Sequence, residues 1–170
     1  MTTLVLKNAN LIDVRKGQVV GERDLLIQDG RIAGIDTRIE GNNVDAVIDL
    51  GGRFMMPGLV DSHVHVTAIT PNFALLEVLS PFYVGAKSSE LLQGMLMRGF
   101  TTVRDAGGAD HGLAQAVEEG TIIGPRVLYA GRALSQTGGH ADMRGPGQQT
   151  FEGCCCCAGL GGVCDGVSAV

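Results

Sequence analysis

Apolar and polar positions along the chain fall into two regimes. Over residues 3 to about 56, short β-rich runs alternate with turn signals. Thr3-Leu4-Val5-Leu6 reads as a strand and Asn8-Ala9-Asn10 as a turn. Residues 24–28 and 31–35 flank Asp29-Gly30, a strong short-range hairpin signal. Asn42-Asn43 precedes a run over residues 46–50, and Gly51-Gly52 precedes Arg53-Phe54-Met55. From Gly58 the pattern becomes strand–helix alternation. A short apolar strand runs up to His63 and His65. Ser88 or Ser89 caps an expected helix with Glu90 in its first turn, an apolar stripe at Leu92, Met95 and Leu96, and a stop at Gly99. Residues 100–105 form the next strand. A second helix is expected from a cap at Asp110 to Gly120, and a third strand over residues 126–130. Strands and helices alternating at this length imply parallel strands, opening either a doubly wound sheet or a (β/α)8 barrel.

From about residue 133 the periodicity lapses into a long Gly/Cys-rich loop carrying Thr137-Gly138-Gly139-His140 and four consecutive cysteines. Loops of this length inside a compact domain are usually active-site loops or disordered. This one follows the C-terminal end of a strand, the functional face of an α/β barrel. The division expected is therefore 1–56, a small β-sandwich, and 57–170, the strand–helix part.

Composition narrows the picture only a little. A chain of 170 residues holds one domain or pieces of two. A net charge of −5 supplies no basic footprint, so nucleic acid is not an expected partner. The start lacks a basic segment followed by a long apolar one, and no run reaches the roughly eighteen apolar residues of a membrane span, so a cytoplasmic protein is expected. Cys154, Cys155, Cys156 and Cys157 are adjacent and Cys164 stands apart, an odd set of five without paired C-x-x-C motifs. Neighbouring cysteines bridge only under severe strain, so structural thiols are the plainer reading.

The chemistry concentrates in Asp61-Ser62-His63-Val64-His65. In an extended strand, residues i and i+2 face the same side about 6.5 Å apart, so Asp61, His63 and His65 share a face. Two imidazoles there can hold one divalent ion but cannot complete a site, because a catalytic zinc needs at least three protein ligands. Asp61 reads as an orienting hydrogen-bond acceptor. His111 reads as a solvated loop residue, Arg104 and Asp105 as a polar network at a strand end, and Tyr129 as core.

Residues 54–65, Phe-Met-Met-Pro-Gly-Leu-Val-Asp-Ser-His-Val-His, resemble the first-strand signature of the metal-dependent amidohydrolase superfamily. Thr101 to Gly108, Gly124 to Leu128 and Thr137-Gly138-Gly139-His140 extend the resemblance, toward its Xaa-Pro dipeptidase and imidazolonepropionase-like branch. The resemblance implies a (β/α)8 barrel with a β-sandwich composed of both chain ends, of which this chain would hold the N-terminal sandwich strands and about three βα units. It implies two divalent metal ions, usually zinc, with His63 and His65 as ligands of one. His140 matches a catalytic histidine that meets the substrate near the scissile carbonyl. The bridging lysine, later histidines and catalytic aspartate have no counterparts here. These 170 residues alone are therefore expected to be an inactive fragment of a longer enzyme.

The implied reaction is hydrolysis of an amide in a small peptide or N-acyl amino acid, in a homo-oligomer acting on small molecules. Cyclic amide opening or deamination is the alternative within the superfamily. A metal-free scaffold is the alternative outside enzymology, and keeping both histidines weighs against it.

Overall fold

The computed structural model describes residues 2–148 and 159–169, so Cys154 to Cys157 lie outside the described residues. The chain is an α/β protein whose described residues form three sheets, and it divides into two compact units, Met1–Pro57 and Gly58–Val170.

The first unit is a five-stranded mixed sheet. Strand β1 (Thr3–Asp13) lies between β2 (Gln18–Gln28) and β4 (Ala46–Asp49); β3 (Arg31–Asp36) flanks β2, and the short β5 (Phe54–Met55) also pairs with β1. The β1–β2 and β2–β3 ladders are antiparallel, whereas β4 and β5 run parallel to β1. The hairpin turn at Asp29-Gly30 has φ of 48° and 72°, both left-handed, the geometry that matches strand twist and favours glycine at its second position. Asn8 is not in a turn. It sits inside β1 at φ 57°, where the register shifts between Leu6 and Ala9. The local signal of an Asn pair is the same for a bulge as for a turn, and the partner strand β2 decides between them. The described residues of this unit form one sheet layer, and Ile32, Val47 and Phe54 are exposed on it.

Asp24 holds the bulge in place. Its carboxylate, almost wholly buried, accepts from the backbone N–H of Asn8 and of Ile39, each at 3.0 Å. The Ile39 N–H, more than any other contact, keeps this carboxyl below the ordinary carboxylate range.

The second unit carries a three-stranded parallel sheet in the order β6 (Leu59–Val64), β7 (Phe100–Asp105), β8 (Arg126–Tyr129). Helices α1 (Pro81–Met97) and α2 (His111–Glu118) make the two crossovers. Leu92 from α1 packs with Val66, Val103, Ala109 and Val127 in the main core, with Leu113 and Val117 of α2 against it. A smaller cluster joins Leu76, Val84 and Leu160.

Three expectations need correcting here. Helix α1 begins at Pro81, seven residues before Ser88. Pro81 occupies the first turn, where its missing N–H costs nothing. Ser88 is buried mid-helix and bonds back to the Val84 carbonyl at 2.8 Å, so a serine that resembles a cap is satisfied inside the helix. Second, the stretch from residue 133 is not wholly loop: β9 (Ala133–Ser135) and β10 (Gly161–Val163) form a parallel two-stranded ladder. Neither strand shows a β-rich pattern, and only chain return makes the pairing. Third, Tyr129 is 45% exposed at the end of β8 and is not core; its hydroxyl lies 3.2 Å from His111 Nδ1. The cap expected at Asp110 is present, accepting from Leu113 N at 2.9 Å. Among the described residues, no helix is long and apolar enough to cross a membrane.

Asp105 closes β7 and is fully buried. Its carboxylate accepts three backbone N–H groups, from Val66 at 2.7 Å and from Gly107 and Ala109 at 3.0 Å. It thus ties the chain leaving β6 to the chain leaving β7. Asp105→Ala strands three buried donors, and urea denaturation should show a loss of about 3 kcal/mol. Asp24 generates a pH dependence. Its folded pKa lies below the unfolded value of about 3.9, so it stabilises the fold above about pH 4 and that contribution falls away on acidification. Asp24→Asn should flatten the acid side of the stability curve and lower the plateau near neutrality.

Candidate metal and catalytic site

Strand β6 delivers the histidine pair. Between Asp61 and Val64 the ladder to β7 spans three steps on one strand against two on the other, so the strand bulges across Ser62 and His63. Asp61 Oδ1 accepts the backbone N–H of His63 at 3.1 Å, and Arg104 Nε donates to the Ser62 carbonyl at 2.7 Å. Both contacts hold the distorted end of the strand. His65 is the first residue beyond β6.

Despite the bulge, the two imidazoles stay together. Their ring centroids are 5.3 Å apart and their planes cross at 77°. With metal–nitrogen bonds of about 2.1 Å and a tetrahedral angle, two coordinating imidazoles have centroids about 5 Å apart. The observed separation of 5.3 Å is close to that value.

The partner of His65 fixes which nitrogen is available. Its Nδ1 lies 2.8 Å from the Gly107 carbonyl oxygen. A carbonyl only accepts, so Nδ1 carries a proton, and in the neutral ring the lone pair is on Nε2. This is the arrangement expected around a histidine ligand, whose second nitrogen bonds to a carbonyl or carboxylate. Asp105 stands behind it, since its carboxylate holds the Gly107 N–H. Gly107 must also be small. A Cβ there would lie 2.7 Å from the Leu160 carbonyl oxygen and 3.5 Å from His65 Cε1.

His140 lies in the turn after β9, exposed to solvent. A line of packing joins it to the histidine pair. Leu160 presses on Gly107, Gly161 follows it in β10, and Gly161 lies against Ala141, the neighbour of His140. Leu160 O accepts from Ala133 N at 3.0 Å, and Ala141 N donates to Ser135 Oγ at 3.2 Å. His111 stands apart, exposed on α2 beside Tyr129.

Among the described residues, no group of three or more His, Cys, Asp or Glu side chains gathers as a ligand set. His63 and His65 are two nitrogen donors placed side by side, and among the described residues no third candidate ligand joins them. Gly107 and the salt-bridged Asp142 were not visible as site residues in the sequence. Gly107 enters there only as part of the motif from Thr101 to Gly108, and a backbone carbonyl that orients a ring leaves no composition signal.

The profile of the amidohydrolase family matches residues 54–156, more than half of the chain. Among curated proteins, the chain is 36% identical over 92 residues to an ochratoxinase of Aspergillus niger, covering 52% of this chain and 19% of that one. It is 41% identical over 63 residues to an adenine deaminase of Desulfatibacillum aliphaticivorans, covering 37% of this chain and 10% of that one. Among solved structures, it superimposes on a prolidase complexed with N-methylphosphonate-L-proline with a TM-score of 0.91 and 40% identity, covering 99% of this chain and 42% of that one. The chain thus spans less than half the length of each of these relatives. The paired histidines at the end of β6 fall inside the matched region, and the chain belongs to the amidohydrolase family.

Proposed function

We propose that the full-length protein is a metal-dependent hydrolase of amide C–N bonds, acting on a dipeptide of the Xaa-Pro type or on an N-acyl amino acid. The observation that carries this is the His63–His65 pair, with rings 5.3 Å apart and the Nδ1 proton of His65 committed to Gly107. Keeping both histidines in this arrangement weighs against a metal-free scaffold. The likeness to a prolidase over nearly the whole chain supports the peptide substrate. In this reading β6, β7 and β8 with their two helices are the first units of a (β/α)8 barrel within residues 57–170. Residues 1–56 are the N-terminal part of a composite β-sandwich.

His63 and His65 would hold one of two divalent ions, zinc being the first choice for imidazole ligands. When bound there, the ion would supply polarisation of the scissile carbonyl and a water of lowered pKa. The chain's own residues supply the rest. The Gly107 carbonyl keeps His65 in the tautomer that leaves Nε2 free. Asp61 and Arg104 hold the bulge from which His63 projects. His140 donates a hydrogen bond to the oxygen on which negative charge develops.

The match to an adenine deaminase supports a second reading, in which the same machinery opens a cyclic amide or deaminates a ring. A panel of Xaa-Pro dipeptides, N-acyl amino acids, hydantoins and aminopurines separates the two by which class is turned over.

In the full-length protein, His63→Ala and His65→Ala should each reduce bound metal, measured by elemental analysis, and lower activity at least about a hundredfold. Normal metal content in both variants contradicts the ligand assignment. His140→Ala should retain its metal while kcat falls about 10²–10³-fold, the usual cost of an oxyanion donor.

A further inference from the structure

We propose that Arg144 is a positioning residue that sets the loop carrying His140, acting through Asp142, Thr137 and Asp165. This rests on the reading that His140 serves the reaction.

The loop between β9 and residue 145 is braced on both sides of His140. Arg144 grips Asp142 in a two-pronged pair, Nε to Oδ1 at 2.6 Å and Nη2 to Oδ2 at 2.7 Å. The Asp142 side chain is only 6% exposed and that of Arg144 24%. Asp142 Oδ2 also accepts the Gly138 N–H at 2.8 Å, which closes the loop across His140. Arg144 Nη2 reaches Thr137 Oγ1 at 3.2 Å. Thr137 in turn gives its N–H and its hydroxyl to the two carboxylate oxygens of Asp165, at 2.9 and 2.6 Å. Asp165 follows β10, so the brace reaches the strand whose preceding residue, Leu160, lies against Gly107.

Two features set this apart from ordinary loop stabilisation. Charge-assisted two-pronged pairs fix orientation as well as distance, and this one is largely shielded from water. Gln136, Thr137, Gly138, Gly139, Ala141, Asp142 and Arg144 are all hydrogen-bonded, whereas among the described residues the His140 imidazole has no hydrogen bond. The brace fixes the backbone on both sides of His140. The low proton affinity of Asp142, caused chiefly by the Arg144 hydrogen bonds, keeps the pair charged through the neutral range.

The test compares Arg144→Ala and Arg144→Lys in the full-length, metal-loaded protein, each alone and in a His140→Ala background. Arg144→Ala should lower kcat about 10- to 100-fold with KM within about twofold, as expected for a displaced catalytic group. Metal content should be unchanged. Arg144→Lys keeps the charge but loses the fork, so it should recover only part of the loss. In the His140→Ala background, neither substitution should slow the reaction further. Amide hydrogen exchange supplies a readout independent of turnover: Gly138 and Asp142 should exchange faster in Arg144→Ala, while Leu113 in α2 keeps its protection. An equal rate loss with and without His140, or unchanged exchange at Gly138, overturns the positioning role. Full activity of His140→Ala alone overturns the parent reading instead, and that variant reports it separately.

Discussion

The second unit depends on one buried carboxylate. Asp105 sits at the end of the central strand with no exposure to solvent and three backbone N–H groups pointing at it. Burying a charge is costly unless its lone pairs are filled, and only the conformation in which Val66, Gly107 and Ala109 converge fills them. The turns after β6 and β7 are therefore not independent. Satisfying Asp105 places the Gly107 carbonyl beside His65, and that carbonyl selects the ring nitrogen left for chemistry. The same electrostatic constraint that stabilises the sheet thus prepares the site.

The remaining order radiates outward by packing. Gly107 accepts the Leu160 carbonyl at close range because it lacks a Cβ, so β10 can lie where it does. From β10 the brace through Asp165, Thr137, Arg144 and Asp142 reaches the turn of His140. The candidate site is held from two sides, by a buried carboxylate behind the histidine pair and by a shielded ion pair beneath His140. Each uses backbone N–H groups as the final contact. That choice ties side-chain chemistry to the path of the chain.

Much of this could be read from local sequence where one segment decides its own structure. The Asp29-Gly30 hairpin, the strand ending at Asp105 and the Asp110 cap all depend on residues within a few positions of one another. What was not legible depends on partners far along the chain. The bulge at Asn8 is settled by β2 and by Asp24, and the β9–β10 ladder by a return of the chain more than 20 residues later. Ser88 looks like a cap because its hydroxyl competes for backbone groups, and burial inside α1 turns that same competition inward. At the site, the histidine pair was visible by its spacing at a strand end together with the motif of residues 54–65 around it. Gly107 was not, because its contribution is a carbonyl group that every residue possesses.

In the proposed function, His65 presents Nε2 to a metal because Gly107 holds Nδ1. Anomalous diffraction at the zinc edge, from crystals of the full-length protein grown with zinc, tests this. A peak is expected about 2.1 Å from His65 Nε2, shared with His63, while Nδ1 stays on the Gly107 carbonyl. A peak on Nδ1 with the Gly107 contact broken would contradict it, as would no peak at the pair.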